Sequence, residues 1–533
     1  MSRVGEERRA GICVPLFSLR SSRSWGIGEI GDIPDAVEWL RAAHQSVLQI
    51  LPLNELAPDE TSPYSALSAM AIDPRYITIR DVSDAEDFES AWADEIAAVR
   101  RAPRIAYAEV IELKQRALRA CFDRFMEIEW RRGSARSDTL RRYMAAEAWW
   151  LDDYSLYRAL RAEAGEKKWT EWPPELRDGD PAAIAAARAR ISNKILFYRY
   201  VQWVAAEQWQ AVRKSTQSVE ILGDFPFMVT LDSADVWSRR HEFILDASVG
   251  TPPDAFSDTG QEWGLPPYNW AEVRANNFEW LRMRGRRLAE LYDGFRVDHL
   301  VGFYRTYVRP LDGRPAYFSP PSEEEQRALG EDVMAVITSS GADVSVEDLG
   351  TVPKFVRASV ARLGLAGYRV FRWEPGDPAT YPPVSIAMTG THDTDPLAVW
   401  WESLTTEERR LIAEMPSVHR THPQGMEGVA GSSSFDEGIR DAILSAIHRA
   451  GSNLVLLPIQ DIFGWRDRIN HPATTGEWNW TYVLPWPLDR MDEQREAIKG
   501  AERLRELTDR SGRWSSPQST IDNRQSAIDR PTD

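Results

Sequence analysis

Short runs of Val, Ile, Leu and Phe recur along the chain, and most are followed by a longer stretch whose apolar residues repeat at helical spacing. The runs predict strands over residues 11–17, 46–53, 219–229, 294–298, 343–347, 368–373, 385–389 and 453–460. Amphipathic stretches over 33–44, 324–339, 353–363 and 435–449 predict helices between them. Eight β units alternating with α is the pattern of an α/β chain closed into a (β/α)8 TIM barrel. One long interruption, from about 80 to 215, predicts a mainly helical insertion, with helices over 143–161 and 184–213 and a loop over 169–180. Residues 1–500 are expected to form one catalytic domain with this insertion and a lid-loop segment near 245–270. The tail from 501 to 533 holds one helical piece and then loses apolar periodicity, which predicts partial disorder.

Composition narrows the partners. A formal net charge of -17 disfavours a nucleic-acid backbone or an anionic membrane as the target. A neutral carbohydrate carries no such penalty, and 22 tryptophans supply flat rings for sugar faces. Two distant cysteines, Cys13 and Cys121, suit a reducing cytoplasm rather than a disulfide scaffold. No signal-peptide or membrane-spanning pattern is read. No His-x-x-x-His pair or phosphate-binding glycine loop is present, so neither metal nor cofactor is expected.

In a barrel of this type the residues at the C-terminal ends of the strands form the site. Four such ends carry acids here: Asp224 after Gly223, Asp298 after Gly294-Phe295-Arg296-Val297, Glu347-Asp348, and Asp393 after His392. Splitting a glycosidic bond uses one acid to protonate the leaving oxygen and one carboxylate to meet the oxocarbenium-like centre. Arg296, two residues before Asp298, shares its face of the strand and is expected to hold it ionised as a nucleophile. A barrel mouth shielded from water is expected to raise the Glu347 pKa and keep it protonated as the acid. Asp393 then binds sugar hydroxyls and favours ring distortion.

These stretches, with Gly11-Ile12-Cys13-Val14-Pro15-Leu16, Ser62-Pro63-Tyr64-Ser65, Pro252-Pro253-Asp254-Ala255-Phe256-Ser257 and Gly260-Gln261-Glu262-Trp263-Gly264, resemble the amylomaltase family of 4-α-glucanotransferases over about residues 11–485. The resemblance implies Asp298 as nucleophile, Glu347 as general acid/base and Asp393 as transition-state stabiliser. It also implies Tyr64 as a stacking platform and Asp224, Arg296 and His392 as hydroxyl partners. Gln261 and Trp263 stand on an acceptor-side lid, and Asn470 is a further substrate contact. The implied partners are α-1,4-glucans, maltooligosaccharides and glucose, handled by retaining double displacement. A hydrolase on the same site and a non-catalytic glucan-binding protein are the alternatives. Two departures stand out. Pro58-Asp59-Glu60-Thr61 replaces Gly-Tyr-Gly-Asp, removing the aromatic of a secondary glucan site, and Thr481 replaces the Arg of Asn-Trp-x-Trp-Arg.

Overall fold

The computed structural model describes residues 7–252, 260–419, 433–472, 474 and 476–514. Its strands are β1 (Arg9–Cys13), β2 (Val47–Gln49), β3 (Glu220–Phe225), β4 (Ala247–Thr251), β5 (Gln261–Glu262), β6 (Gly294–Val297), β7 (Thr306–Pro310), β8 (Tyr317–Ser319), β9 (Asp343–Val346), β10 (Ala366–Val370), β11 (Ser385–Met388) and β12 (Leu454–Pro458). Eight of them close a barrel in the order β1-β12-β11-β10-β9-β6-β3-β2, every neighbouring pair parallel. Both faces of such strands are buried, which is why β12 reads Leu-Val-Leu-Leu-Pro without polar alternation. Leu454 and Leu456 pack with Val47, Leu222, Tyr368 and Ile386 in one cluster, whereas Val455 and Leu457 join the larger core.

Each of the eight expected strands is present, but most are shorter than the apolar runs. β1 ends at Cys13, and Leu16–Ser18 is a 3-10 turn after Pro15, which has no N–H for the ladder. Pro226 likewise follows the end of β3. The helices at 143–161 and 184–213 are each broken. Ala135–Ala146 gives way to Ala148–Glu163 at Glu147, and Pro181–Arg190 gives way to Ser192–Ser215 at Ile191, whose φ of -108° leaves the helical range. The expected loop at 169–180 contains a 3-10 turn and the short helix Pro174–Arg177. The helix Glu323–Thr338 starts on a Ser322/Glu325 capping box.

A four-stranded sheet in the order β5-β4-β7-β8, antiparallel throughout, was not expected from the pattern. It carries Gln261 on β5, directly before Trp263. The expected lid residues Asp254, Ala255, Phe256 and Ser257 lie outside the described residues, as does the tail beyond 514. The last described turn closes the N-terminal end of the barrel. Arg513 is buried and donates to the carbonyls of Arg9, His448, Ala450, Ser452 and Asn453, tying the helix Arg495–Arg510 to the starts of β1 and β12.

Candidate active site

Parallel register sets the first contact: Asp224 on β3 lies opposite Arg296 on β6. From there the Arg296 guanidinium reaches four groups. Nη1 donates to Asp224 and, at 3.2 Å, to the Tyr64 hydroxyl. Nη2 donates to Asp298 Oδ1 at 2.6 Å and Glu347 Oε2 at 2.9 Å. Tyr64 donates to Asp224 Oδ2 at 2.8 Å, and its oxygen lies 3.1 Å from His392 Nε2, the two rings stacked at 5.6 Å. One oxygen of Asp224, Oδ1, is buried with no hydrogen-bond partner among the described residues, an acceptor free for a ligand hydroxyl.

Asp393, more exposed, accepts from Asn470 Nδ2 at 2.6 Å and lies 3.4 Å from His392 Nε2. The Trp263 indole donates to Gln261 Oε1 at 3.1 Å and meets the His299 ring edge-on at 4.9 Å. All ten candidate residues are thus joined in one constellation, Asp393 through His392 and the Gln261–Trp263 pair through His299. Asp348, the other acid at the end of β9, is turned elsewhere. It accepts from the Tyr368 N–H at 2.8 Å and from Arg369 at 3.1 Å, so it serves the β9–β10 junction.

Several supports were not read from the sequence. Arg284, on the buried face of the helix Glu279–Leu291, donates to the Pro226 carbonyl and to Tyr268, and stacks 4.0 Å from Phe225. It fixes the turn whose Phe227 N–H reaches Asp298 Oδ2 at 3.4 Å. Arg468 donates to the Asp393 carbonyl, the Asn470 carbonyl and the Asp395 carboxylate, joining the loops after β11 and β12. Trp480, at a φ of +62°, stands 5.9 Å from both Tyr64 and His392, and its carbonyl is held by the Tyr107 hydroxyl at 2.7 Å. A cation two residues before a buried acid was a usable signal for Arg296; Arg284 gave none beyond its place on an apolar helix face.

The charges around the two central acids act on each other. Burial pushes the Asp298 carboxyl up; Arg296 opposes this, but the neighbouring Glu347 charge adds to it, and the result is well above the ordinary range. Burial also pushes Glu347 up, yet Arg296 and the His299 peptide N–H, 2.9 Å from Oε2, outweigh it and pull this group below the ordinary range. The two carboxyls titrate together, with Arg296 shared between them. Burial raises the Tyr64 phenol, so it remains an O–H donor, and lowers the His299 imidazole, so it is neutral at pH 7. Among the described residues no group of three or more His, Cys, Asp or Glu is placed to hold a metal ion.

Residues 14–488 match the family model described as 4-alpha-glucanotransferase. A 4-alpha-glucanotransferase of Chlamydia pneumoniae is 27% identical over 504 residues, spanning 92% of this chain and 93% of its own. One of Thermus thermophilus is 29% identical over 494 residues, spanning 87% and 93%. Among solved structures, an amylomaltase from Streptococcus agalactiae in complex with acarbose aligns with a TM-score of 0.79 at 24% identity, over 96% of this chain and 100% of that one. An amylomaltase from Corynebacterium glutamicum gives 0.78 at 23% identity, over 94% and 76%. These structural likenesses carry the fold.

Proposed function

The chain belongs to the 4-alpha-glucanotransferase family and is an enzyme of that activity, and from this premise we propose how its site performs the transfer. Asp298 attacks the anomeric carbon of an α-1,4-linked glucose while Glu347 gives a proton to the leaving 4-oxygen. The glycosyl-Asp298 ester then reacts with the 4-hydroxyl of an acceptor glucan or glucose, which Glu347 deprotonates. The first step needs the proton of this coupled pair on Glu347 and Asp298 ionised. Asp393 hydrogen-bonds sugar hydroxyls and strengthens its hold as the ring flattens. Tyr64 covers a sugar face; Asp224, Arg296, His392 and Asn470 take hydroxyls. Gln261 and Trp263 stand at the acceptor.

The observation that carries this reading is the shared guanidinium nitrogen. Oxygens 2.6 and 2.9 Å from one atom are at most about 5.5 Å apart, the spacing of a retaining pair rather than one parted by a water molecule. Hydrolysis is the second reading, because the same intermediate can be opened by water if the acceptor side stays wet. Incubation with maltotriose decides between them. A ladder of longer and shorter oligomers is expected; shorter sugars alone would mean a hydrolase, and no change would mean binding only. Our reading keeps maltooligosaccharides, α-1,4-glucans and glucose as the partners and the cytoplasm as the compartment. No helix among the described residues is long and apolar enough to cross a membrane.

A further inference from the structure

Glu347 must change protonation state between the two halves of the transfer, so whatever grips its carboxylate bears on both. Beside Arg296, the grip is the His299 peptide N–H. That N–H is aimed by a left-handed backbone, φ +43°, which a non-glycine residue keeps only when its surroundings impose it. The constraint falls on the His299 ring, set between Phe227 at 5.5 Å and Trp263 at 4.9 Å.

The two walls differ. Phe227 is fixed from behind, perpendicular to Phe303 at 4.9 Å, with its carbonyl accepting from Tyr268 and Arg284 at 3.4 Å. Trp263 follows the two-residue strand β5 at the edge of its sheet, is partly exposed, and is held by its N–H to Val249 and its indole to Gln261. One wall is rigid, and the other belongs to the acceptor side.

We propose that His299 is a positioning residue that passes the seating of the Trp263 ring to the Glu347 carboxylate, so that an acceptor sugar lying against Trp263 adjusts the group that must deprotonate its hydroxyl. The inference rests on the acid/base role given to Glu347 above. The other ionisable groups facing that carboxylate are Arg296 and Asp298 from β6 and the turn after it, Asp224 from β3, and His392 from the loop after β11. Of these groups and His299, only His299 shares a ring contact with Trp263.

A peptide N–H favours the ionised carboxylate; loosening it favours the protonated form and moves the alkaline limb of kcat/KM upward. The test is a cycle of Trp263→Ala and His299→Gly, read as pH profiles of maltotriose disproportionation. Glycine keeps the N–H and the left-handed backbone but has no ring; His299→Asn, also at ease there, serves if the glycine variant does not fold. Trp263→Ala alone is expected to raise the alkaline limb by about 0.5 unit or more, and to leave it unmoved in the ring-less background. Equal shifts in both backgrounds would overturn the coupling. So would an unmoved limb with a several-fold higher acceptor KM, which would make Trp263 a platform only. Glu347→Gln tests the underlying assignment separately. If it turns over maltotriose normally, the acid/base reading itself fails; if it only accumulates a glycosyl-enzyme from α-glucosyl fluoride, that reading stands and the cycle judges the coupling.

Discussion

Arg296 spends both arms of its fork on three carboxylates and a phenol and favours the ionised form of each acid, while the His299 peptide N–H singles out Glu347. Lysine keeps the charge but not the planar fork. Arg296→Lys is therefore expected to lower kcat/KM by about 100-fold or more with the fold intact, measured on maltotriose beside a circular-dichroism melt. Asp298→Asn preserves shape but cannot attack carbon. Its turnover is expected to fall by about 1000-fold or more while maltooligosaccharide affinity, measured by calorimetry, stays within a few-fold. Retention of a tenth of the activity in a clean preparation would remove Asp298 from the nucleophile role. Positions in this constellation were legible because strand ends announce themselves. Protonation was not, since it depends on a peptide N–H aimed by the left-handed His299, and a one-letter code carries no φ. Arg284 and Arg468 escaped for a related reason: their partners, the Pro226 and Asp393 carbonyls, are distant in sequence.

At the scale of elements, the site depends on the turn after β3, which packs against the helix Val301–Tyr304. Gly302 lies against the Phe227 ring, where an added Cβ would come within 2.4 Å of it. Gly302→Ala is expected to cost about 1–3 kcal/mol by overpacking, read as a lower denaturation midpoint. Because Phe227 carries the N–H that reaches Asp298, activity should fall further than the lost stability explains. The barrel strands were legible because buried parallel strands are plain apolar runs, β12 above all. The β5-β4-β7-β8 sheet was not, because β5 has two residues and β8 three, too few to show a period of two. The breaks at Glu147 and Ile191 were hidden by apolar spacing that continues across them.

For the whole molecule, the end of the barrel away from the site carries a pH-dependent part of the stability. His448 is buried beneath Arg513, which donates to its carbonyl, and its Nδ1 donates to Leu444 O at 2.8 Å. Burial is the main cause that brings its pKa from 6.5 down to about 4. The unfolded chain therefore takes up a proton below about pH 6.5 that the folded chain refuses until about pH 4. Stability from this group is complete above pH 6.5 and declines by about 3 kcal/mol as pH falls to 4. His448→Gln should flatten the pH dependence of Tm across that window; an unchanged slope would place the acid sensitivity elsewhere.

The Arg513 clasp also has a consequence in time. Arg9 and the arginine that donates to its carbonyl are 504 residues apart, and β12, the last strand, is made shortly before that arginine. At about 5–20 residues per second, a ribosome needs on the order of 25–100 s to span that distance. Throughout that interval the first strand exists with one edge open, while the helical insertion can settle on local contacts. The hazard of misassembly is thus concentrated in nascent chains that have not yet passed residue 458, and the rate at which the second half is translated should change the yield of folded protein.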